Sequence, residues 1–369
     1  MSSTWPSWLP LRDDLRDQVA YGAPQLEVPV RLNTNENPFG PSKSLVKDLE
    51  HALSEIGTHL NRYPDRDSMT LRQSLARYIN ETSDTTFTAE NIWPANGSNE
   101  VIQSLFLAFA GHSRVAAGFE PSYSMHRNIA RVTGTSWHSW ERRDDYSIDV
   151  NHIKERASEV RATLIFLTTP NNPTGTITNI EDIRRLAEIS GRTGALLVID
   201  EAYQEFSAQP SAVTLIDEFP HVVVSRTMSK AFAFAGTRVG YLVGNAKVID
   251  ALQLVRLPYH LSSATQAFAL VALDHSQELL ANVALLRQER ERVRAALARL
   301  GVNSLESGAN FFLFSAQNPG KLWQKLVDVG VLVRDVGLPS HLRVTIGTPE
   351  ENDRFLASIK DALGESSSG

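Results

Sequence analysis

Short, continuous apolar runs recur through the middle of the chain at residues 164–167, 195–199 and 222–224, and the last two runs are rich in Val, Ile and Leu. Runs of this kind are typical of parallel strands that are buried on both faces. Residues 180–189 lie between the first two runs and repeat their apolar positions at helical spacing, which predicts a crossover helix. This alternation indicates an α/β fold with a mainly parallel sheet.

A second helix is predicted at residues 98–110, where apolar residues again recur at helical spacing. Ser98 is a suitable N-cap, Gly111 can end the helix, and Gly97 gives the preceding backbone its freedom. Exposed N–H groups at a helix start bind phosphate well, so the segment ANGSNE is a candidate phosphate site. An ordinary helix cap is the alternative interpretation.

The pattern changes after about residue 261. A long charged helix is predicted at residues 277–300, and the strand-like segments ANFFLF and HLRVTIGT follow it. These elements indicate a smaller α+β domain beside a three-layer αβα domain. We place the large domain at residues 35–260 and assign residues 1–34 and 261–369 to the small domain with its N-terminal segment.

Composition narrows the possible functions of the chain. Its 369 residues are 42% hydrophobic, which suits two domains, and the net charge of −6 argues against a nucleic-acid partner. The absence of cysteine rules out thiolate catalysis, and the ten histidines show no metal-ligand spacing. The N-terminus lacks the features of a secretory signal, and the apolar runs are too short to span a bilayer. We therefore expect a cytoplasmic protein with neither a metal site nor a membrane span.

Asp200 is a candidate catalytic residue because it stands at the exit of the buried run 195–199. A carboxylate in such a place is costly unless it meets a cation or good donors. A protonated pyridine nitrogen would be such a cation, and the carboxylate would keep the ring able to accept electrons. Helix capping, or pairing with an arginine, is the alternative.

Lys230 is a candidate nucleophile in the segment SRTMSKAFAFAGTRVGY, which follows the run 222–224. A partly desolvated lysine has a lowered pKa and can attack an aldehyde. The hydroxyls of Thr227 and Ser229 and the guanidinium of Arg238 are natural phosphate ligands. The alternative, a surface lysine in a loop, explains a single lysine but not this whole pattern.

Three further residues are suited to binding an aromatic cofactor ring. Asn172 lies in TTPNNPTG, where two prolines and a glycine fix a turn, so its amide can donate to a phenolic oxygen. The hydroxyl of Tyr203 can do the same, and Tyr123 can stack on the ring. A tight turn and ordinary aromatic packing are the alternatives.

Taken together, these segments resemble the histidinol-phosphate aminotransferases, which belong to the fold-type I pyridoxal-phosphate enzymes. The order LNTNENPFGPS, NRYPD, ANGSNE, TTPNNPTG, VIDEAY, SRTMSKAFAFAGTRVGY, RLPYHLS, VLVRDVG and LRVTIGT carries the resemblance, from about residue 11 to residue 356. No G-x-S-x-G is present, and no G-x-G-x-x-G follows a strand. The resemblance implies an aspartate-aminotransferase-like fold.

The resemblance also implies a role for each candidate residue. Lys230 matches the Schiff-base lysine, Asp200 the partner of the pyridine nitrogen, and Tyr123 the stacking ring, while Tyr203 and Asn172 match the donors to the phenolic oxygen. The residues that match the phosphate site are Gly97, Ser98, Asn99 through its N–H, Ser229 and Arg238. The residues that match the substrate site are Tyr21, Asn172, Arg334 and Arg343. Tyr63, in NRYPD, matches a tyrosine that reaches the phosphate from the other subunit.

The implied reaction transfers an amino group between histidinol phosphate and 2-oxoglutarate in a homodimer, with pyridoxal phosphate as the cofactor. Histidine biosynthesis would use it in the direction of glutamate and imidazole-acetol phosphate. An aromatic amino-acid aminotransferase on the same scaffold is the main alternative, and a non-catalytic cofactor-binding regulator and a lyase are the others. Arg334, next to Asp335, can also be read as a surface ion pair.

Overall fold

The structure, a computed structural model, describes residues 5–20 and 22–366. In these ranges the strands are β1 (Val30–Arg31), β2 (Ile92–Ala95), β3 (Val115–Glu120), β4 (Ser136–Glu141), β5 (Ala162–Thr168), β6 (Leu196–Asp200), β7 (Val222–Thr227), β8 (Gly240–Val243), β9 (Phe311–Ser315), β10 (Val331–Leu332) and β11 (His341–Thr345). The α-helices are α1 (Lys43–Gly57), α2 (Met69–Ser83), α3 (Ser98–Phe109), α4 (Met125–Val132), α5 (Val150–Val160), α6 (Ile180–Thr193), α7 (Ala246–Gln253), α8 (Ser263–Asp274), α9 (Ser276–Arg299), α10 (Pro319–Asp328) and α11 (Pro349–Ser366). Short 3-10 helices lie at Asp13–Leu15, Ala89–Asn91, Gln204–Phe206, Ala212–Leu215 and Ala235–Thr237.

A seven-stranded sheet in the order β2-β8-β7-β6-β5-β3-β4 forms the centre of the molecule. Strands β3 to β7 run parallel, while β8 runs antiparallel to both of its neighbours, β7 and β2. The predicted strands are β5, β6 and β7, and the predicted crossover helix is α6. The prediction of an α/β fold with a mainly parallel sheet is confirmed.

Alternation along the central strands builds two hydrophobic cores, one on each face of the sheet. Leu197 and Ile199 of β6 belong to one core, whereas Val198 between them belongs to the other. Successive strand residues point to opposite faces, so a continuous apolar run fills both layers at once. Helix α3 supplies Ile102 and Phe106 to the second core. The result is the three-layer arrangement that the apolar runs predicted.

The C-terminal third contains the predicted long helix, α9, and the two predicted strands, β9 and β11. These strands pair antiparallel, with Arg343 opposite Leu313. The N-terminal segment contributes β1, which pairs parallel with β10. The division at residues 35 and 261 stays a prediction. None of the helices in the described part of the chain combines the length and apolar character that a bilayer span requires.

The start of α3 corrects one prediction. Gly97, not Ser98, occupies the N-cap position, and Ser98 is the first helical residue. Gly97 has a φ of 81°, and a Cβ there would lie 2.6 Å from Nη2 of Arg238. The chain therefore turns sharply into the helix beside that guanidinium, and only glycine satisfies both the backbone angle and the close approach.

Candidate active site

Most of the predicted site residues lie together at the carboxyl ends of the parallel strands. Thr168, Asp200 and Thr227 are the last residues of β5, β6 and β7. They open onto a cavity of about 610 Å³, at the edge of an open α/β sheet where ligands bind. The predicted residues that line this cavity are Ser98, Asn99, Tyr123, Asn172, Asp200, Tyr203, Thr227, Ser229, Lys230, Arg238, Arg334 and Arg343.

Lys230 lines this cavity, and the pKa of its amine is lower than that of a lysine in water. Its Nζ donates a hydrogen bond to the backbone oxygen of Thr34 at 3.0 Å. Burial, together with the positive charges of Arg343 and Arg238, lowers the pKa of Lys230 to about 8, although Glu36 opposes this shift. About a tenth of the amine is thus uncharged at pH 7, and this fraction can act as a nucleophile or base.

The carboxylate of Asp200 is buried and is in contact with a histidine side chain. Its Oδ2 lies 3.1 Å from Nε2 of His126, and its Oδ1 accepts from the backbone N–H of Ala202 at 3.3 Å. His126, in the first turn of α4, is itself buried and stacks on Phe166 with 4.7 Å between ring centroids. This support fixes a carboxylate at the cavity wall, ready for a cationic partner.

An anion cradle forms where the start of α3 meets the loop after β7. Arg238 Nη1 donates to the Ser229 hydroxyl at 3.4 Å and to the Ala235 carbonyl at 3.0 Å. The Thr227 hydroxyl lies 3.0 Å from that of Ser229. A guanidinium, two hydroxyls and a helix N-terminus converge beside Gly97, whose missing side chain keeps the approach open. This donor set fits a phosphate group.

Arg343 and Arg334 come together across an antiparallel bridge, in which each backbone N–H donates to the other carbonyl at 2.9 Å. Arg343 donates to the Asn172 side-chain oxygen at 2.6 Å and to the Asn33 carbonyl at 2.7 Å. The Asn172 amide nitrogen is therefore left as the donor of that side chain. Arg334 Nη1 is buried and has no hydrogen-bond partner among residues 5–20 and 22–366.

Two tyrosines on the cavity wall are held through their hydroxyls. Tyr123 donates to the side-chain oxygen of Asn99 at 3.1 Å, and its ring stands perpendicular to His126 at 5.5 Å. Tyr203 accepts from the side-chain amide of Asn35 at 2.9 Å. Both rings are thereby fixed in orientation.

The aminotransferase class I and II family model matches residues 27–359, which is most of the chain. The chain belongs to this family. A histidinol-phosphate aminotransferase of Mycolicibacterium smegmatis is 52% identical over 96% of this chain and 94% of its own length. One from Corynebacterium glutamicum strain R is 51% identical over 96% and 97%. The prediction of an aminotransferase is therefore confirmed.

Solved structures show the same fold. The histidinol-phosphate aminotransferase of Sinorhizobium meliloti, in complex with pyridoxal-5'-phosphate, matches this aminotransferase with a TM-score of 0.81 at 23% identity, covering 92% of each chain. That of Clostridium acetobutylicum matches with a TM-score of 0.81 at 23% identity, over 91% of this chain and 99% of its own. These matches confirm the prediction that the chain has the fold of the fold-type I enzymes.

Of the other predicted residues, Gly97 lies next to Arg238 at the edge of the cavity, whereas Tyr63 does not line it. Tyr63 is 79% exposed, and its ring stacks on that of Tyr259 with 4.4 Å between centroids. A tyrosine that serves the other subunit would lie on the surface of its own subunit in this way, so its role stays a prediction. Tyr21 lies outside the described residues.

Sequence reasoning missed four residues that shape the site. His126 supports Asp200, and the segment Asn33, Thr34 and Asn35 contacts Arg343, Lys230 and Tyr203 in turn. His126 follows Tyr123 by three positions and its backbone N–H donates to the Tyr123 carbonyl, so this spacing at the start of α4 was the available signal. Thr34 acts through its backbone oxygen, which no side-chain pattern can reveal.

Proposed function

We propose that this aminotransferase uses pyridoxal 5'-phosphate to move an amino group between histidinol phosphate and 2-oxoglutarate. In histidine biosynthesis, glutamate would donate the amino group and imidazole-acetol phosphate would accept it. The observation that carries the proposal is the pair Arg343 and Arg334, which face one cavity from bridged segments, with Arg334 Nη1 unpartnered among the described residues. The names of relatives that are 52% and 51% identical support the same substrate.

The groups on the cavity wall fit the proposed cofactor from end to end. Arg238 and Ser229, beside the open approach at Gly97, would hold the phosphate. Asp200, buried and supported, would keep the proton on the pyridine nitrogen. Asn172 and Tyr203 would donate to the phenolic oxygen and Tyr123 would stack on the ring, since all three line the cavity. When bound, pyridoxal phosphate supplies an electron sink for the carbanion left by proton removal.

Lys230 would hold the cofactor covalently and then move the proton. Because burial and two neighbouring cations lower the pKa of Lys230 to about 8, Nζ can be uncharged when the substrate is bound. An uncharged amine can take a proton from the substrate carbon and return it to the cofactor side. The hydrogen bond from Nζ to the Thr34 carbonyl holds the amine inside the cavity.

Arg343 and Arg334 would share the work of anion recognition. Glutamate presents a carboxylate, and histidinol phosphate presents a phosphate monoester with more charge and more acceptor oxygens, so the pocket must accept both. One guanidinium suits a carboxylate, whereas a second guanidinium is useful to a phosphate. Among the described residues Arg334 forms no ion pair, and Asp335 instead accepts from the Gly337 N–H at 2.8 Å. This arrangement favours a ligand-binding role for Arg334 over a surface ion pair.

The experiment that tests this function compares Arg334→Ala with Arg343→Ala. Arg334→Ala should lower kcat/KM for histidinol phosphate by about 10- to 100-fold, the loss expected for one charged hydrogen bond. Turnover of glutamate and phenylalanine should fall much less. Arg343→Ala should impair all three donors. Arg334→Lys, which keeps the charge, is the matched control and should retain part of the preference.

Equal losses for every amino donor in the Arg334→Ala variant would contradict the phosphate-specific role. A wild-type protein that turns over phenylalanine as well as histidinol phosphate would lead to the same conclusion. Either result would make the chain an aromatic amino-acid aminotransferase on the same scaffold.

We also infer a cytoplasmic homodimer in which Tyr63 reaches the cofactor phosphate of the partner. Tyr63 and Tyr259 form an exposed aromatic pair, and Leu60, Leu254 and Leu257 are exposed at 64%, 86% and 75%. Exposed large apolar side chains mark interaction surfaces when they occur together. Mixing inactive Lys230→Ala and Tyr63→Ala subunits should restore activity through hybrid dimers, and an active monomer would contradict the inference.

A further inference from the structure

Asn35 connects the small C-terminal sheet to the catalytic cavity. It is buried, with a left-handed backbone (φ 56°), and it lines the cavity. Its carbonyl accepts from the Asn310 side chain at 3.1 Å, while its remaining polar groups contact Thr345 of β11 and Tyr203. Two distant parts of the chain therefore fix both the backbone and the side chain of one residue.

Asn35 and Thr345 exchange two hydrogen bonds through the Thr345 hydroxyl, one in each direction. The backbone N–H of Asn35 points at the Thr345 hydroxyl oxygen at 3.0 Å, and a backbone N–H can only donate. The Thr345 hydroxyl accepts that bond and donates its own hydrogen to the Asn35 side-chain oxygen, also at 3.0 Å. This places the Asn35 amide nitrogen, not its oxygen, at the Tyr203 hydroxyl.

The direction of these hydrogen bonds determines whether the Tyr203 hydroxyl donates or accepts toward the cavity. An amide nitrogen only donates, so the Tyr203 oxygen accepts from Asn35 at 2.9 Å. The Tyr203 hydrogen must then point away from Asn35, and Tyr203 forms part of the cavity wall. Without Thr345 the amide could turn over, and Tyr203 would donate to Asn35 instead.

We propose that Thr345 and Asn35 are positioning residues that fix the Tyr203 hydroxyl as a hydrogen-bond donor toward the phenolic oxygen of the bound cofactor. The inference rests on the proposed use of pyridoxal phosphate. Fixed donors that need no reorientation stabilise developing or resident charge better than mobile ones. If the hydrogen bonds between Thr345 and Asn35 were merely structural, their loss would affect stability but not the electronic state of the cofactor.

The test is a pH titration of the visible absorption band of the protein loaded with pyridoxal 5'-phosphate. Tyr203→Phe removes the donor and should move the titration midpoint to higher pH. Thr345→Val, which is close in shape but lacks the hydroxyl, should move the midpoint in the same direction by about half to one pH unit, the equivalent of one hydrogen bond. Thr345→Ser keeps the hydroxyl and should titrate like the wild type.

A double variant separates orientation from other effects. In the Tyr203→Phe background, Thr345→Val should add less than about 0.2 pH unit, because non-additivity marks residues that act through one another. Asn35→Gly is the second variant, since glycine tolerates the left-handed backbone while deleting the amide. It should reproduce the Thr345→Val shift even if the latter protein folds poorly.

The outcomes distinguish this inference from the proposed function. If Tyr203→Phe moves the midpoint while Thr345→Val and Asn35→Gly do not, the positioning role is wrong and the cofactor assignment stands. A Thr345→Val shift that persists undiminished without the tyrosine hydroxyl also overturns it. If the wild-type protein binds no pyridoxal phosphate, the proposed function and this inference both fail.

Discussion

Two polar clusters lie on opposite sides of the ends of β6 and β7, and they are built from neighbouring residues. Asp200 and Thr227 line the catalytic cavity. Glu201 and Arg226, each one residue away, belong to a closed cluster on the other side. Consecutive residues of an extended strand face opposite sides of a sheet, so each of these two short segments contributes one residue to each cluster.

The closed cluster satisfies all of its buried charges. Arg226 pairs with Glu201 and with Glu205, each at 2.9 Å, and Glu201 also accepts from the Ser211 hydroxyl and the Ala212 N–H, each at 2.7 Å. Burial alone would lower the pKa of Arg226, but the charges of Glu201 and Glu205 raise it. Burial raises the pKa of Glu205, although Arg226 opposes the shift. Such a network locks two strands together and leaves nothing for a ligand.

The cavity cluster is different because it carries an excess of cations. Lys230, Arg238, Arg334 and Arg343 all line the cavity, and Arg334 Nη1 has no partner among the described residues. A buried polar group without a partner is costly, so its persistence points to a ligand that completes it. Burial and charge alone therefore do not separate a binding cluster from a structural one. What separates these two clusters is whether every buried polar group already has a hydrogen-bond partner within the protein.

The largest expected effect is on chemistry in the cavity cluster. Asp200→Asn keeps the shape but loses the charge that would hold the pyridine nitrogen protonated. Proton removal in a single turnover should slow by about three decades, which corresponds to about 4 kcal/mol. The free energy of unfolding should change little. Stopped-flow absorbance and urea unfolding measure the two quantities, and a near-normal single-turnover rate would remove Asp200 from this role.

The next effect is on stability in the closed cluster. Arg226→Met leaves two buried carboxylates without their cation and should lower the free energy of unfolding by about 3–5 kcal/mol. At 25 °C the folded variant should keep kcat within about threefold of the wild type, since the charge lost lies outside the cavity and a threefold change is only about 0.7 kcal/mol.

Arg184→Ala is the matched control for that experiment. Arg184 and Glu218 form an ion pair at the surface, and exposed pairs contribute little to stability. Equal unfolding free energies for Arg226→Met and the control would show that the closed cluster contributes little to stability. A selective loss of kcat in a stable Arg226→Met protein would erase the distinction between the two clusters.

Local patterns in the sequence were enough to predict the strands β5, β6, β7, β9 and β11, the polar ends of the central ones and the cavity-lining residues Lys230, Asp200 and Arg238. Continuous Val, Ile and Leu runs are typical of a sheet covered on both faces, and ligands bind at the carboxyl edge of such a sheet. The contact between Asn35 and Thr345 spans 310 positions, and no local pattern encodes such a pair. The pairing of Glu201 with Arg226 is likewise not encoded by a local pattern. Each residue lies in a recognised motif, but their contact depends on which face of the sheet each side chain occupies.

The smallest expected effect concerns the protonation of Lys230. Because burial, Arg343 and Arg238 lower its pKa to about 8, half of the amine should be uncharged near pH 8, and the reactive fraction should level off about one to two pH units higher. The rate at which the cofactor-free protein takes up pyridoxal phosphate, followed by absorbance, should therefore rise with a midpoint near pH 8 and reach a plateau above it. For a lysine in water the midpoint would lie at about pH 10.4.

Arg343→Gln sharpens this prediction by changing the cause directly. Removal of a nearby positive charge makes protonation of Lys230 easier, so the plateau should move to higher pH. Arg184→Gln, at the surface, should leave the plateau where it is in the wild type. A midpoint near pH 10 in the wild-type protein, or a downward move in Arg343→Gln, would show that the cations of the cavity do not control this amine. The cation excess that distinguishes the cavity from the closed cluster would then act on ligands alone, and not on Lys230.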